Sequence, residues 1–169
     1  MTADREGARA DARALIVECG IVATPVPVER IARRLGIKVK YAPLDGDLSG
    51  MAYIADGVSI IGVNALHPSS RQRFTLAHEL GHIRRHADLL REGVHLDHGT
   101  LRRDWLSSHG TDPREIEANA FASELLMPEP LMLAALDGRS IDLEDDDAID
   151  VLARRFRVSS SAMRYRLVA

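Results

Sequence analysis

The chain has 169 residues, of which 46% are apolar and 28% charged. That fits one globular domain and is too apolar for a disordered chain. Its 22 basic and 25 acidic residues leave a net charge of −3, whereas a dedicated nucleic-acid binder carries a basic excess. The single cysteine, Cys19, excludes an internal disulfide framework and a multi-cysteine zinc site, which turns attention to the seven histidines.

The first thirteen residues mix both signs of charge and contain no apolar core, so they do not read as a secretory signal. No apolar run approaches the roughly 20 residues a membrane span needs, and a cytoplasmic location is expected. Asp4 to Cys19 contains no proline and predicts a helix that Gly20 stops. A second helix is expected from Pro27, with Val28, Ile31, Ala32 and Leu35 on one face and Gly36 ending it. Three strand-like runs follow, Ile37 to Tyr41, Leu48 to Ala55 and Val58 to Asn64. Asp56-Gly57 joins the last two as a tight hairpin, because that turn needs positive φ. Ser69 followed by Gln72 reads as a capping box opening a helix to about Arg85. Glycines at 93, 99 and 110 break the pattern from Ala87 to Thr111, which predicts a loop with one short helix near Leu101 to Leu106 and Trp105 as a possible cleft cover. Asp112-Pro113 starts a helix through Met127, ended by Pro128 and Pro130. Two more helices are expected near Asp145 to Phe156 and Ser159 to Leu167.

The chemistry concentrates at His78-Glu79-Leu80-Gly81-His82, an H-E-x-x-H inside a predicted helix. Residues four apart share a helix face, so both imidazoles can meet one ion. Zinc suits imidazole ligands, and Glu79, one step round, can act as general base toward water at that ion. Phe74, Leu76, Ala77, Leu80 and Ile83 make the helix a buried one. Gly81 costs about 1 kcal/mol in a helix interior, which points to close approach by another element. His86 lies two turns from His78, about 12 Å along the axis, too far for one ion at about 2 Å from each ring. It is expected beside the ligands rather than among them. The third ligand is expected from Arg114 to Ala122. Glu117 is favoured because it shares a face with Phe121 and Leu125. Glu115, four before Asn119, is the alternative. For the charge that develops on a scissile carbonyl, His86, His95, His98, Tyr53 and Arg73 are candidate donors. The hairpin before the helix, at Gly50, Met51, Ala52 and Tyr53 or on its partner strand, is the expected place for an extended peptide to add as a strand.

Arg71-Gln72-Arg73-Phe74-Thr75-Leu76-Ala77-His78-Glu79-Leu80-Gly81-His82, with Glu117-Ala118-Asn119-Ala120-Phe121-Ala122-Ser123-Glu124-Leu125-Leu126-Met127-Pro128 downstream, resembles the ImmA/IrrE family of zinc metallopeptidases. Ser49-Gly50-Met51-Ala52 and Ile61-Gly62-Val63-Asn64 fit the same pattern, so the resemblance runs from about Val28 to Pro128. It implies an α+β, gluzincin-like fold: a compact zincin-like domain over residues 1–130, its small, mostly antiparallel sheet packed on the HExxH helix. A helical extension over 131–169 would pack on it. It implies one zinc ion per chain held by His78, His82 and Glu117, with Glu79 catalytic. It also implies cleavage of a helix-turn-helix repressor in a mobile element or stress response. Radiation-response members carry a following sensor domain, which is not expected here.

Ile149 to Leu167 itself resembles a helix-turn-helix, with Ser159 capping the second helix. Arg154, Arg155, Arg157, Arg164 and Arg166 could meet phosphates. The competing reading is therefore a DNA-binding or repressor-sequestering regulator with a structural metal site. Substrate docking or core packing would use the same helices without DNA.

Overall fold

The computed structural model describes residues 2–99 and 112–169. The short helix expected near Leu101 to Leu106 and the role suggested for Trp105 lie outside the described residues. The elements run α1 (Arg5–Glu18), α2 (Val28–Arg34), β1 (Lys38–Ala42), β2 (Gly50–Ala55), β3 (Val58–Asn64) and α3 (Ser69–Arg85). After these come α4 (Ala87–Glu92), β4 (His95–Asp97), α5 (Pro113–Leu126), α6 (Glu129–Leu136), α7 (Asp146–Phe156) and α8 (Ser160–Val168). The fold is α+β: one small mixed sheet, helices packed on it, and a helical C-terminal part.

The sheet order is β1-β3-β2-β4. β2 and β3 form the expected hairpin, and Asp56 and Gly57 both take positive φ, 51° and 74°, as its two-residue turn requires. β1 lies parallel to β3 and β4 antiparallel to β2. Two of the three pairings are thus antiparallel, and the parallel one makes the sheet mixed. β4 and α4 fall in the stretch predicted as loop. A three-residue strand carries too little alternation to register in sequence.

α3 begins differently from its predicted cap. Pro68 stands at the N-cap without a side-chain bond, placing Ser69 inside the helix. Gln72 Nε2 instead donates to the carbonyls of Ala65 and His67, which fastens the strand–helix corner. From Phe74 to His82 every residue of α3 is buried, because β2 and β3 cover one side and α5 another. Gly81 marks the closest approach. A Cβ there would lie 3.1 Å from Phe121 Cδ1 and 3.2 Å from the Cα of Ala118, so the small residues of α5 let the two helices touch.

α5 is sandwiched between α3 and α1. On its α1 side, Arg85 at the end of α3 pairs with Asp4, Asp11 and Glu117. The C-terminal helices join the same core through Met132, Ile149, Phe156 and Met163. Arg73 ties them down: its guanidinium donates to the carbonyls of Arg157 and Val26. No described helix is long and apolar enough to cross a membrane.

Candidate metal centre

α3 and α5 present three side chains to one point. His82 Nε2 lies 3.1 Å from His78 Nε2. Glu115 Oε2 lies 3.3 Å from His78 Nε2, and its Oε1 lies 3.2 Å from His82 Nε2. Both histidines are 3% exposed.

The outer nitrogens fix which way each ring is protonated. His78 Nδ1 lies 2.9 Å from Asn119 Oδ1. An amide oxygen only accepts, so Nδ1 carries the hydrogen. His82 Nδ1 lies 3.1 Å from His86 Nδ1, and His86 Nε2 lies 3.1 Å from Glu117 Oε2. A carboxylate only accepts, so His86 donates through Nε2. Its Nδ1 then accepts from His82. Both inner Nε2 atoms are therefore lone pairs aimed at a carboxylate. Such a set of acceptors, buried together, requires a shared cation. Burial works against charging His78, but the contact with Glu115 together with the negative charges of Asp97, Glu79 and Glu115 outweighs it and raises the ring to about 9. The same burial takes His82 down to about 3, its contact with Glu115 notwithstanding. Burial would raise Glu115, yet its close contacts with His78 and His82 hold it far below the usual carboxylate range. Two imidazoles, each oriented from behind, and one carboxylate form a donor set that fits zinc.

Glu79 lies beside this cluster. It is fully buried, and neither of its oxygens has a hydrogen-bond partner. Burial pushes its carboxyl well above the ordinary value, and the nearby His78 pulls it down less. It is a carboxylate prepared to take up a proton. Gly50 on β2 allows the sheet to lie against it, since a Cβ there would sit 3.4 Å from Glu79 Oε1 and 2.4 Å from Thr75 Cγ2.

The carboxylate that meets the two histidines is Glu115 and not the favoured Glu117. Glu117 faces α1, where its oxygens accept from the Asp4 backbone N–H, Arg85 and His86. Burial raises its carboxyl, and those three bonds together bring it below the ordinary range. Of the candidate donors, His86 stands behind His82. Arg73 is turned away toward Val26 and Arg157. His95, on β4, is the one brought to the centre, its ring centroid 4.0 Å from that of His82. Gly50, Met51 and Ala52, where a peptide strand was expected, already pair with Asp97, Leu96 and His95 of β4. Tyr53, half-buried, pairs with Ile60 on the other side.

Two of the five tail arginines, Arg164 and Arg166, have acidic partners within the chain. Arg166 donates to Glu124 Oε2 at 2.6 Å and to the Met127 carbonyl. Arg164 pairs with Asp146 at 2.5 Å. Arg154 and Arg155 are exposed.

A family of peptidases described as the IrrE N-terminal-like domain matches residues 32–168, a span that takes in the centre and the C-terminal helices. No curated protein matches the chain at a significant level. Among solved structures it is similar to a Mycobacterium tuberculosis transcriptional regulator, with a TM-score of 0.61 and 20% identity. The match covers 95% of this chain and 55% of that one, so this chain spans about half the length of that protein. At this identity the likeness speaks for the fold.

Proposed function

The chain belongs to the peptidase family of IrrE N-terminal-like domains, and from that premise we propose that it is a zinc-dependent endopeptidase of the HExxH type. It holds one zinc ion per chain and acts in the cytoplasm on a helix-turn-helix repressor, relieving repression. The observation that carries this reading is the set of inward lone pairs on His78, His82 and Glu115, with the outer nitrogens already committed to Asn119 and His86.

In this reading His78, His82 and Glu115 are the ligands and Glu117 supports them from behind. Zinc there supplies Lewis acidity toward a peptide carbonyl and acidifies water to a pKa of about 7. Glu79 accepts the proton of the attacking water and passes it to the leaving amine. Its buried, unpartnered oxygens support that task. Asn119 and the pair His86–Glu117 hold the two rings in the tautomer that leaves Nε2 free. Repressor cleavage rests on the family resemblance of the segments Arg71 to His82 and Glu117 to Pro128. The engagement of Arg164 and Arg166 with Asp146 and Glu124 favours packing over phosphate contact for the tail.

The test combines zinc content with cleavage of helix-turn-helix repressors, taking first any that is encoded beside this protein. Wild type and Glu79→Gln should each hold one zinc, and only wild type should cut. The expected loss for Glu79→Gln is about 10²–10⁴-fold or more. Cleavage by Glu79→Gln at the wild-type rate would overturn its role. A wild type that takes up no zinc would overturn the whole reading.

A further inference from the structure

Catalytic zinc sites keep one position open, whereas four protein ligands close the tetrahedron and leave no place for water. The centre has three ligands in the reading above, and a fourth donor atom, an imidazole nitrogen, stands next to it. His95 Nε2 lies 3.6 Å from Glu115 Oε1 and 3.9 Å from Glu79 Oε2. It is buried and has no hydrogen-bond partner. One donor atom from each of His78, His82, His95 and Glu115 lies within 4.8 Å of all the others. An orphaned imidazole nitrogen at that spacing is a ligand in waiting.

What carries His95 there is as informative as the ring. β4 is an edge strand of three residues, paired with Gly50, Met51 and Ala52. One further bond extends the grip, the Ser49 N–H donating to the Asp97 carbonyl at 2.7 Å. β2 lies directly over Glu79, as the contacts of Gly50 require. An extended peptide held across the centre would use this same edge, because strand addition needs the unpaired backbone groups of a sheet edge. β4 already satisfies them.

We propose that β4 closes the centre from within: His95 serves as a fourth metal ligand, and its strand fills the edge of β2 that a substrate peptide must take. This rests on the zinc-peptidase reading and adds a regulatory state to it. A peptide gains the β2 edge only as β4 leaves, and the departure of β4 withdraws His95 and opens the position that water needs. Substrate entry and activation are then one event. The exchange is of ligands only, with no covalent bond made or broken in the chain.

The test uses Co(II) as the metal and acetohydroxamate, a small chelating anion, as the probe for an open position. Wild type, His95→Ala and His95→Phe are loaded with Co(II). Phenylalanine keeps a ring at that place and removes the nitrogen. Both variants should shift the visible absorption of the bound Co(II) in the same sense. His95→Ala should reach half-saturation at an acetohydroxamate concentration at least tenfold lower than wild type. Loading with Co(II) should also slow amide exchange across His95 to Asp97 in wild type and not in the variants. Identical spectra and probe affinities in all three proteins would overturn the fourth ligand while leaving the zinc reading intact. No Co(II) uptake by wild type would overturn both.

Discussion

Glu115 and Glu117 stand two positions apart on α5 and have opposite surroundings. Glu115 meets two imidazoles at 3.2–3.3 Å, and Glu117 meets Arg85, His86 and a backbone N–H. Glu115→Ala should abolish stoichiometric zinc binding. Glu117→Ala should keep the metal and weaken it by about 10–100-fold, the usual cost of a lost supporting bond; equilibrium dialysis separates the two. The sequence argument favoured Glu117 because it assumed one buried face, the one bearing Phe121 and Leu125. α5 has two, toward α1 and toward α3, and Asn119, which looked like a mark of the solvent side, receives the His78 N–H. His78, Glu79 and His82 were legible because fixed spacing on a helix needs no knowledge of the rest of the fold. His95 was legible only as one of several candidate donors, since nothing local says where a three-residue strand will pair. The low carboxyl of Glu117 also has a pH signature. A depressed carboxylate stabilises the fold above its unfolded pKa of about 4.3, and that contribution is lost as pH falls through the folded value. Wild type should therefore exceed Glu117→Gln in Tm at pH 7, with the gap narrowing below about pH 4.3.

Helix against helix, the α3–α5 seam has little slack. Alanine at position 81 would improve helix propensity by about 1 kcal/mol, but its Cβ would press on Phe121 and on the backbone of Ala118. Overpacking of that kind costs about 1–3 kcal/mol. Gly81→Ala should therefore be neutral to destabilising by up to about 2 kcal/mol, and it should lower zinc affinity as α5 shifts, read by urea denaturation and metal titration. The glycine was informative in the sequence because a helix carries such a cost only for a reason. The seam between α5, α6 and α8 depends on Glu124, which is 1% exposed. It accepts from Arg166 and from the Glu129 N–H at the start of α6. Arg166→Ala leaves that charge buried without its main partner, at an expected cost of about 3 kcal/mol. Arg166→Met with Glu124→Leu should recover much of it, as apolar replacement of a buried pair often does. Sequence could not separate this arginine from one that contacts phosphate, because both roles draw on the same charge in the same helix.

Across the whole molecule, His78, His82 and Glu115 come from two helices that only the folded chain brings together. Zinc held by them as proposed would bind the folded state in preference to the unfolded one. At about 1,000 times its Kd it should add about 4 kcal/mol to stability, and Glu115→Ala should show no such gain; thermal melts with zinc and with chelator measure the difference. The α+β class, the hairpin and the main helices were readable from periodicity, caps and the Asp56-Gly57 turn. The parallel β1–β3 pairing and the docking of α1 on α5 were not, because they join segments with no local signal of partnership. That docking has a consequence for synthesis. The Asp4 backbone N–H finds its acceptor on Glu117, 113 residues later. At about 5–20 residues per second, α1 waits roughly 6–23 s for its partner to emerge from the ribosome. Through that interval Ala8, Ala12, Leu15 and Ile16 have no α5 to bury them, and a nascent-chain chaperone is offered an apolar helix face. The growing polypeptide also lacks Glu115 until α5 is made, so translation itself withholds the histidine–glutamate centre until then.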